Sequence, residues 1–273
     1  MTKVRLKFYG VRGSIATPRK DTLIYGGNTS CLEIRYGKDL IICDAGTGIY
    51  PLAGDLAKQK GPVRGTIIFS HYHWDHMLGL YMFTPLYNKR NSFTFIGRPG
   101  LKKALSNLLK PPNLPIKLSD FKAQLKFKTI RNKSFKIGKI TVDAFDLNHP
   151  NGASGYLFNF PNGKKVLLAT DNSPTKGNVQ LIMKSLGVDL LITDAQFTVK
   201  EFLLKKNFGH STPQHVLEIA RIARPKKVAL FHHDPSHSDK IIKKIEKEMH
   251  LLAKRIGLKS LVFAAKEGMI INL

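Results

Sequence analysis

Short apolar runs alternate with Gly-, Asn- and Pro-rich turns along this chain, and several polar stretches carry apolar residues at helical spacing. Residues 3–9 alternate polar and apolar side chains and predict an edge strand. Residues 31–36 and 39–43 predict a hairpin turning at Gly37-Lys38. The run Thr66-Ile67-Ile68-Phe69 predicts a buried strand. Further strands are expected at 93–97, at 135–147 with a bend at Gly138, and at 153–160, 165–170, 189–193 and 227–231, with short ones at 259–264 and 268–272. Helices are expected at 49–59, 76–83, 100–109 and 237–255, and one more opens at Thr212-Pro213, a cap residue followed by a first-turn proline. Helix 237–255 puts Ile241, Ile242, Ile245, Met249 and Leu252 on one side and lysines on the other. Such a mixture in 273 residues predicts an α/β fold without repeats or linkers. Residues 84–135 stand apart: they are basic, carry Pro85, Pro99, Pro111, Pro112 and Pro115, and are expected to form a lid or substrate-facing insertion.

Charge changes the picture. The formal net charge is +25. Such an excess favours anionic partners: phosphoesters, nucleotides, RNA or DNA. The lysines are spread along the whole chain, so an ordinary lysine-rich solvated surface is the competing explanation. No run approaches the ~18 apolar residues of a membrane-spanning helix, and no membrane association is expected. Met1–Arg5 runs straight into the first strand pattern without a signal-peptide core. The two cysteines, Cys31 and Cys43, lie in apolar runs and predict buried thiols rather than a disulfide framework. The expected location is the cytoplasm.

Candidate chemistry concentrates in His71-Tyr72-His73-Trp74-Asp75-His76, directly behind the predicted strand at 66–69. Neutral imidazoles and a carboxylate suit a divalent cation such as zinc, manganese or iron(II). Four donors in so short a stretch exceed what one ion takes from one loop, which suggests half of a two-metal site. Further donors follow predicted strands: Asp44, His149, Asp171, Asp194 and His232.

The His-x-His-x-Asp-His motif resembles the metallo-β-lactamase superfamily of metal-dependent hydrolases, whose fold is a four-layer αββα sandwich with metals at one edge. The other motifs stand in that family's order, from Asp44-Ala45-Gly46-Thr47-Gly48 through His149 and Asp171 to His232. The resemblance implies a single domain over 1–273. It implies one cation held by His71, His73 and His149, another held by Asp75, His76 and His232, and Asp171 bridging them, with Asp44 supporting the site from behind. Two divalent ions, zinc or manganese with iron also suited, would generate a hydroxide for in-line attack and offset charge on a phosphoryl group.

The loops Gly10-Val11-Arg12-Gly13-Ser14 and Gly26-Gly27-Asn28-Thr29 resemble a phosphodiesterase-like branch of the superfamily, which makes Arg12 and Asn28 candidate substrate contacts; His233 is a third. Gly209-His210-Ser211-Thr212 resembles an element of both that branch and ribonuclease Z. His210, at a helix N-terminus, is the candidate proton donor to the leaving oxygen, with Asp194 to orient it. Asp75, His210 and Asp194 are therefore the candidate catalytic residues.

The function this predicts is metal-dependent hydrolysis of a nucleotide or nucleic-acid phosphodiester. A ribonuclease Z-like endoribonuclease is one alternative, although no glycine-rich arm for transfer RNA is apparent. A thioesterase or lactonase on the same metal core is another. A non-catalytic nucleic-acid-binding protein fits less well, because all seven donors are present. His73 stands where flavodiiron members carry glutamate, which points to hydrolysis rather than redox chemistry. His76 and the lack of an export signal count against a β-lactamase. A homodimer is expected from the resemblance.

Overall fold

The structure is a computed structural model that describes residues 2–174 and 178–273. The first half builds strands β1 (Val4–Gly10), β2 (Cys31–Tyr36), β3 (Asp39–Cys43), β4 (Arg64–Ile68), β5 (Ser92–Gly97) and β6 (Gln124–Thr129), with helices α1 (Ile49–Ala57) and α2 (Leu101–Leu108). The second half builds β7 (Ser134–Ile137), β8 (Ile140–Leu147), β9 (Ala153–Asn159), β10 (Lys165–Ala169), α3 (Val179–Ser185), β11 (Leu190–Asp194), α4 (Val199–Leu204), α5 (Pro213–Ala223), β12 (Lys227–Phe231), α6 (Asp239–Arg255), β13 (Leu261–Ala264) and β14 (Ile270–Asn272).

Two seven-stranded mixed sheets result, ordered β14-β1-β2-β3-β4-β5-β6 and β13-β12-β11-β10-β9-β8-β7. In the first, β3 to β6 run parallel; in the second, β10 to β13 do. The sheets face each other across a core that includes Phe8, Ile34, Ile41 and Ile68 on one side and Phe158, Leu168, Ile192 and Phe231 on the other. α1 and α2 cover the outside of the first sheet, where Leu52, Leu56 and Leu105 pack on Ile67 and Phe95. α5 and α6 cover the second, with Val216, Leu217 and Met249 on Val228 and Leu230. This is the αββα sandwich. β11 is buried at every position because it has neighbours on both sides and layers on both faces, so its sequence reads as a continuous apolar run.

Three expectations need correction. β1 is not an edge strand, because the C-terminal β14 pairs with it at Arg5–Lys7. Residues 84–135 do not form a separate lid: they contribute β5, α2 and β6 to the first sheet and its covering layer. β6 is the exposed edge. Its alternating lysines leave the outer hydrogen-bonding row protected by charge, which made the segment read as loop. Only the proline-rich stretch after α2 departs from the layers; its Leu114 packs with the first sheet's outer core. The expected helix at 76–83 is a pair of 3-10 turns, Trp74–His76 and Leu78–Met82. Among the described residues no helix is long and apolar enough to cross a membrane.

Candidate metal centre

The C-terminal ends of parallel strands from both sheets converge at one edge. Strand ends in α/β sheets place loops on a rigid frame, and ligand sites form there. β3 leads to Asp44, β4 to His71–His76, β10 to Asp171, β11 ends in Asp194, and β12 leads to His232. β8 leads to His149. Asp44, Asp171 and His232 all take left-handed backbone, with φ of 60°, 56° and 59°. For residues with a side chain this is an uncommon, costly conformation that clusters at functional sites.

The donors gather in two quartets that share one residue. His71, His73, His149 and Asp171 form the first; Asp75, His76, Asp171 and His232 form the second; within each, the donor atoms all lie within 4.8 Å of one another. Asp171 divides its carboxylate between them. Its Oδ2 lies 3.6 Å from His71 Nε2 and 3.7 Å from His149 Nε2, whereas its Oδ1 lies 3.4 Å from His76 Nε2 and 3.3 Å from His232 Nε2.

The outward nitrogens fix the chemistry of the inward ones. His76 Nδ1 donates to Asp44 Oδ2 at 2.9 Å, His232 Nδ1 to Gln196 Oε1 at 2.9 Å, and His149 Nδ1 to the Gly209 carbonyl at 2.9 Å. In the neutral imidazoles each inward Nε2 then carries a lone pair. Yet His76 Nε2 and His232 Nε2 face each other at 3.2 Å, both beside Asp75 Oδ2 at 3.2 and 3.1 Å. His71 Nε2 is buried with no hydrogen-bond partner at all. A buried cluster of acceptors is unstable by itself and calls for cations at its centre. The donor set fits divalent metal ions.

The local field agrees. Burial would lower the His76 pKa, but the carboxylates of Asp75, Asp171 and Asp44 outweigh burial and raise it well above the usual value. A field that holds a proton so firmly also attracts a divalent cation. Burial and the neighbouring His76 keep His71 well below its usual range, hence neutral and ready to ligate. Asp44 is itself held by the Ser70 backbone N–H at 2.7 Å and by the Ser70 hydroxyl at 2.8 Å, so its orientation toward His76 is set from two directions.

His210 stands at the rim. Its Nδ1 lies 2.8 Å from Asp194 Oδ2, and its ring stacks on His232 with centroids 5.1 Å apart. Burial opposes protonation, but Asp194 raises the His210 pKa to about 9. Asp194 also accepts the backbone N–H groups of Asn172 and Gln196, at 3.2 and 2.9 Å. Thr212 caps α5 by accepting from the His215 N–H, with Pro213 in the first turn. A groove of about 470 Å³ opens onto Asp75, His149, Asp171 and His210, with Tyr72 and Trp74 on its wall.

Three expected substrate contacts prove to be braces. Arg12 is fully buried, its Nε donating to the Gly26 carbonyl and its Nη1 to the carbonyls of Asp234 and His237. Asn28 is bound through its backbone N–H and side-chain amide to the Glu267 carboxylate. His233 is buried, donates to the Ala265 carbonyl, and has its pKa pushed by burial down to about 3. None of the three lines the groove. The N-terminal loop instead reaches the centre through its backbone: the Ser14 N–H donates to Asp75 Oδ2 at 2.7 Å, and Gly13 lies flat against His232. Gln196 and Ser70 carry no signal of their own in the sequence, because they act on His232 and Asp44 far along the chain, and the loop holding Gly13 and Ser14 stands out only for Arg12.

Fold and centre together define a metal-site αββα protein. The chain belongs to the beta-lactamase superfamily, whose domain matches residues 40–233. Ribonuclease Z of Pyrococcus horikoshii is 24% identical, with the alignment covering 87% of this chain and 88% of that protein. The metallo-beta-lactamase fold protein YhfI from Bacillus subtilis superposes with a TM-score of 0.75 at 16% identity over 100% of both chains. A diphosphatase from the PhnP family superposes with a TM-score of 0.75 at 16% identity, covering 99% of this chain and 98% of that one.

Proposed function

We propose that this protein is a dinuclear metal-dependent phosphodiesterase acting on a nucleotide or nucleic-acid phosphodiester. The observation that carries the reading is the division of Asp171 between two sets of inward imidazole lone pairs. His71, His73 and His149 would hold one cation, Asp75, His76 and His232 the other, with Asp171 shared; zinc or manganese suits these donors. Such a pair, when bound, makes water nucleophilic near neutral pH and offsets charge on phosphoryl oxygens.

The chain's own residues supply the rest. Asp194 orients His210 through Nδ1, which leaves Nε2 as the nitrogen that meets substrate. Held by the Asp194 carboxylate, which favours its protonated form, His210 gives its proton to the departing alkoxide oxygen. Phosphate chemistry is further supported by the net charge of +25 and by ribonuclease Z being a relative along most of the chain. That relative also supports a second reading, cleavage of RNA at an internal phosphodiester. The buried free thiols of Cys31 and Cys43 support a reducing compartment such as the cytoplasm.

The test is turnover of bis-p-nitrophenyl phosphate, cyclic nucleotides, precursor transfer RNA, a lactone and a thioester, with manganese or zinc, beside metal analysis. Two ions per chain and phosphodiester turnover are expected. Turnover of only the lactone or thioester would overturn the substrate class. His210→Ala should lower kcat by roughly a hundredfold or more with bound metal unchanged; metal loss instead would make His210 a ligand or brace.

A further inference from the structure

Tyr72 and Trp74 interleave with the ligands His71 and His73, yet they line a second hollow as well as the catalytic groove. This hollow, of about 340 Å³, lies between the motif and α2. Its floor is apolar, formed by Met77, Leu78 and Leu108, and its polar groups include the carboxamides of Asn107 and Asn113. Trp74 is 71% exposed, and among the described residues it has no aromatic ring packed against it. An indole left open on the wall between two hollows is an unfilled stacking platform.

We propose that this hollow is a nucleobase subsite: a planar base of the substrate stacks on Trp74 while its phosphodiester occupies the adjoining groove. The inference rests on the phosphodiesterase reading and narrows it to nucleoside-bearing esters. An acyl chain would need only the aliphatic floor. A base also uses the π-face of Trp74 and the carboxamides on the hollow's lining, where the Asn107 amide N–H groups can donate while its oxygen accepts from Lys110. The surrounding charge suits a phosphate-linked ligand, since Lys102, Lys103, Lys110 and Lys117 are all exposed on α2 and the turn after it.

The chain has one tryptophan, so its emission reports on the wall that this hollow shares with the groove, and a phosphate without a base is the control for the groove side. Adenosine monophosphate should quench or shift that emission saturably, and ribose 5-phosphate should not. In parallel, thymidine p-nitrophenyl phosphate and methyl p-nitrophenyl phosphate share a leaving group and differ in carrying a nucleoside or a methyl group, so the part of their ratio that depends on Trp74 reports the base. Their kcat/KM values should differ by about five- to a hundredfold, the range for one stacked base. Trp74→Ala should bring the ratio close to unity with metal content unchanged, and Trp74→Tyr should retain part of it. Asn107→Leu, on an exposed face of α2, should lower the ratio without touching the motif. Equal kcat/KM for both esters together with an emission blind to adenosine monophosphate would overturn the subsite. So would a saturable response to octanoate with none to the nucleotide, which would assign the hollow to an acyl chain. If neither ester is turned over while metal is bound, the phosphodiesterase reading fails, and the emission response still decides the base.

Discussion

Asp44 meets His76 Nδ1 at 2.9 Å, although the two residues come from the ends of neighbouring strands. The contact fixes which nitrogen His76 turns inward. Asp44→Ala should therefore weaken metal affinity by about 10- to 100-fold, as loss of such supporting carboxylates generally does. Competition with a chromogenic chelator measures it; unchanged affinity would mean that His76 is oriented by other contacts.

Two glycines make opposite predictions. A Cβ on Gly13 would lie 2.3 Å from His232 Cε1 and 2.4 Å from its Nδ1, so Gly13→Ala must displace His232 from Gln196. Metal content should fall. A Cβ on Gly54, exposed inside α1, would meet nothing within 4 Å. Gly54→Ala should raise stability by about 0.4–1 kcal/mol in urea titration, with metal content untouched.

Arg12 separates bracing from binding. Arg12→Lys keeps the charge but loses the forked donors that reach the carbonyls of Gly26, Asp234 and His237. It should cost at least about 2 kcal/mol of stability. KM of the folded variant should stay near wild type. A raised KM with unchanged stability would restore Arg12 as a substrate contact.

Acid stability should depend on Asp189, remote from the metal centre. Lys226 Nζ lies 2.9 Å from its carboxylate, the Lys165 backbone N–H 2.9 Å and Lys164 Nζ 3.3 Å. Burial pushes its pKa up, but these partners, Lys226 first, outweigh burial and hold it below the usual value. A carboxylate depressed in the folded state contributes stability above its unfolded pKa of about 3.9, and that contribution disappears as pH falls through the lower folded value. Asp189→Asn should thus destabilise the protein at neutral pH by about 1–3 kcal/mol and flatten the acid limb of stability against pH. A limb of unchanged slope would assign acid sensitivity to other carboxylates.

The sequence exposed those parts of the molecule whose signal is local. His71 to His76 lie in one loop behind a buried strand, and His149, Asp171 and His232 each follow an apolar run, so position along strands marked them. Elements resting on distant partners gave no such mark. β14 pairs with β1 from the other end of the chain, which turned an expected edge into an interior strand. The burial of Arg12 is decided by carbonyls more than two hundred residues away. β6 alternates lysine with apolar residues at a sheet margin and carries the composition of a loop. α4 has only six residues and owes its start to the reciprocal Thr198–Glu201 cap, too short for a periodic signal.

The two sheets share custody of the centre. His71, His73, Asp75 and His76 hang from one, and His149, Asp171 and His232 from the other. Alignment of the donors therefore depends on how the interlayer meshes, including the contact of Phe8 with Phe231, whose ring centroids are 6.0 Å apart. A small slip of one layer over the other would pull the quartets apart while every strand stayed paired, so damage deep between the layers would register first as a lost ion and only afterwards as a lost fold.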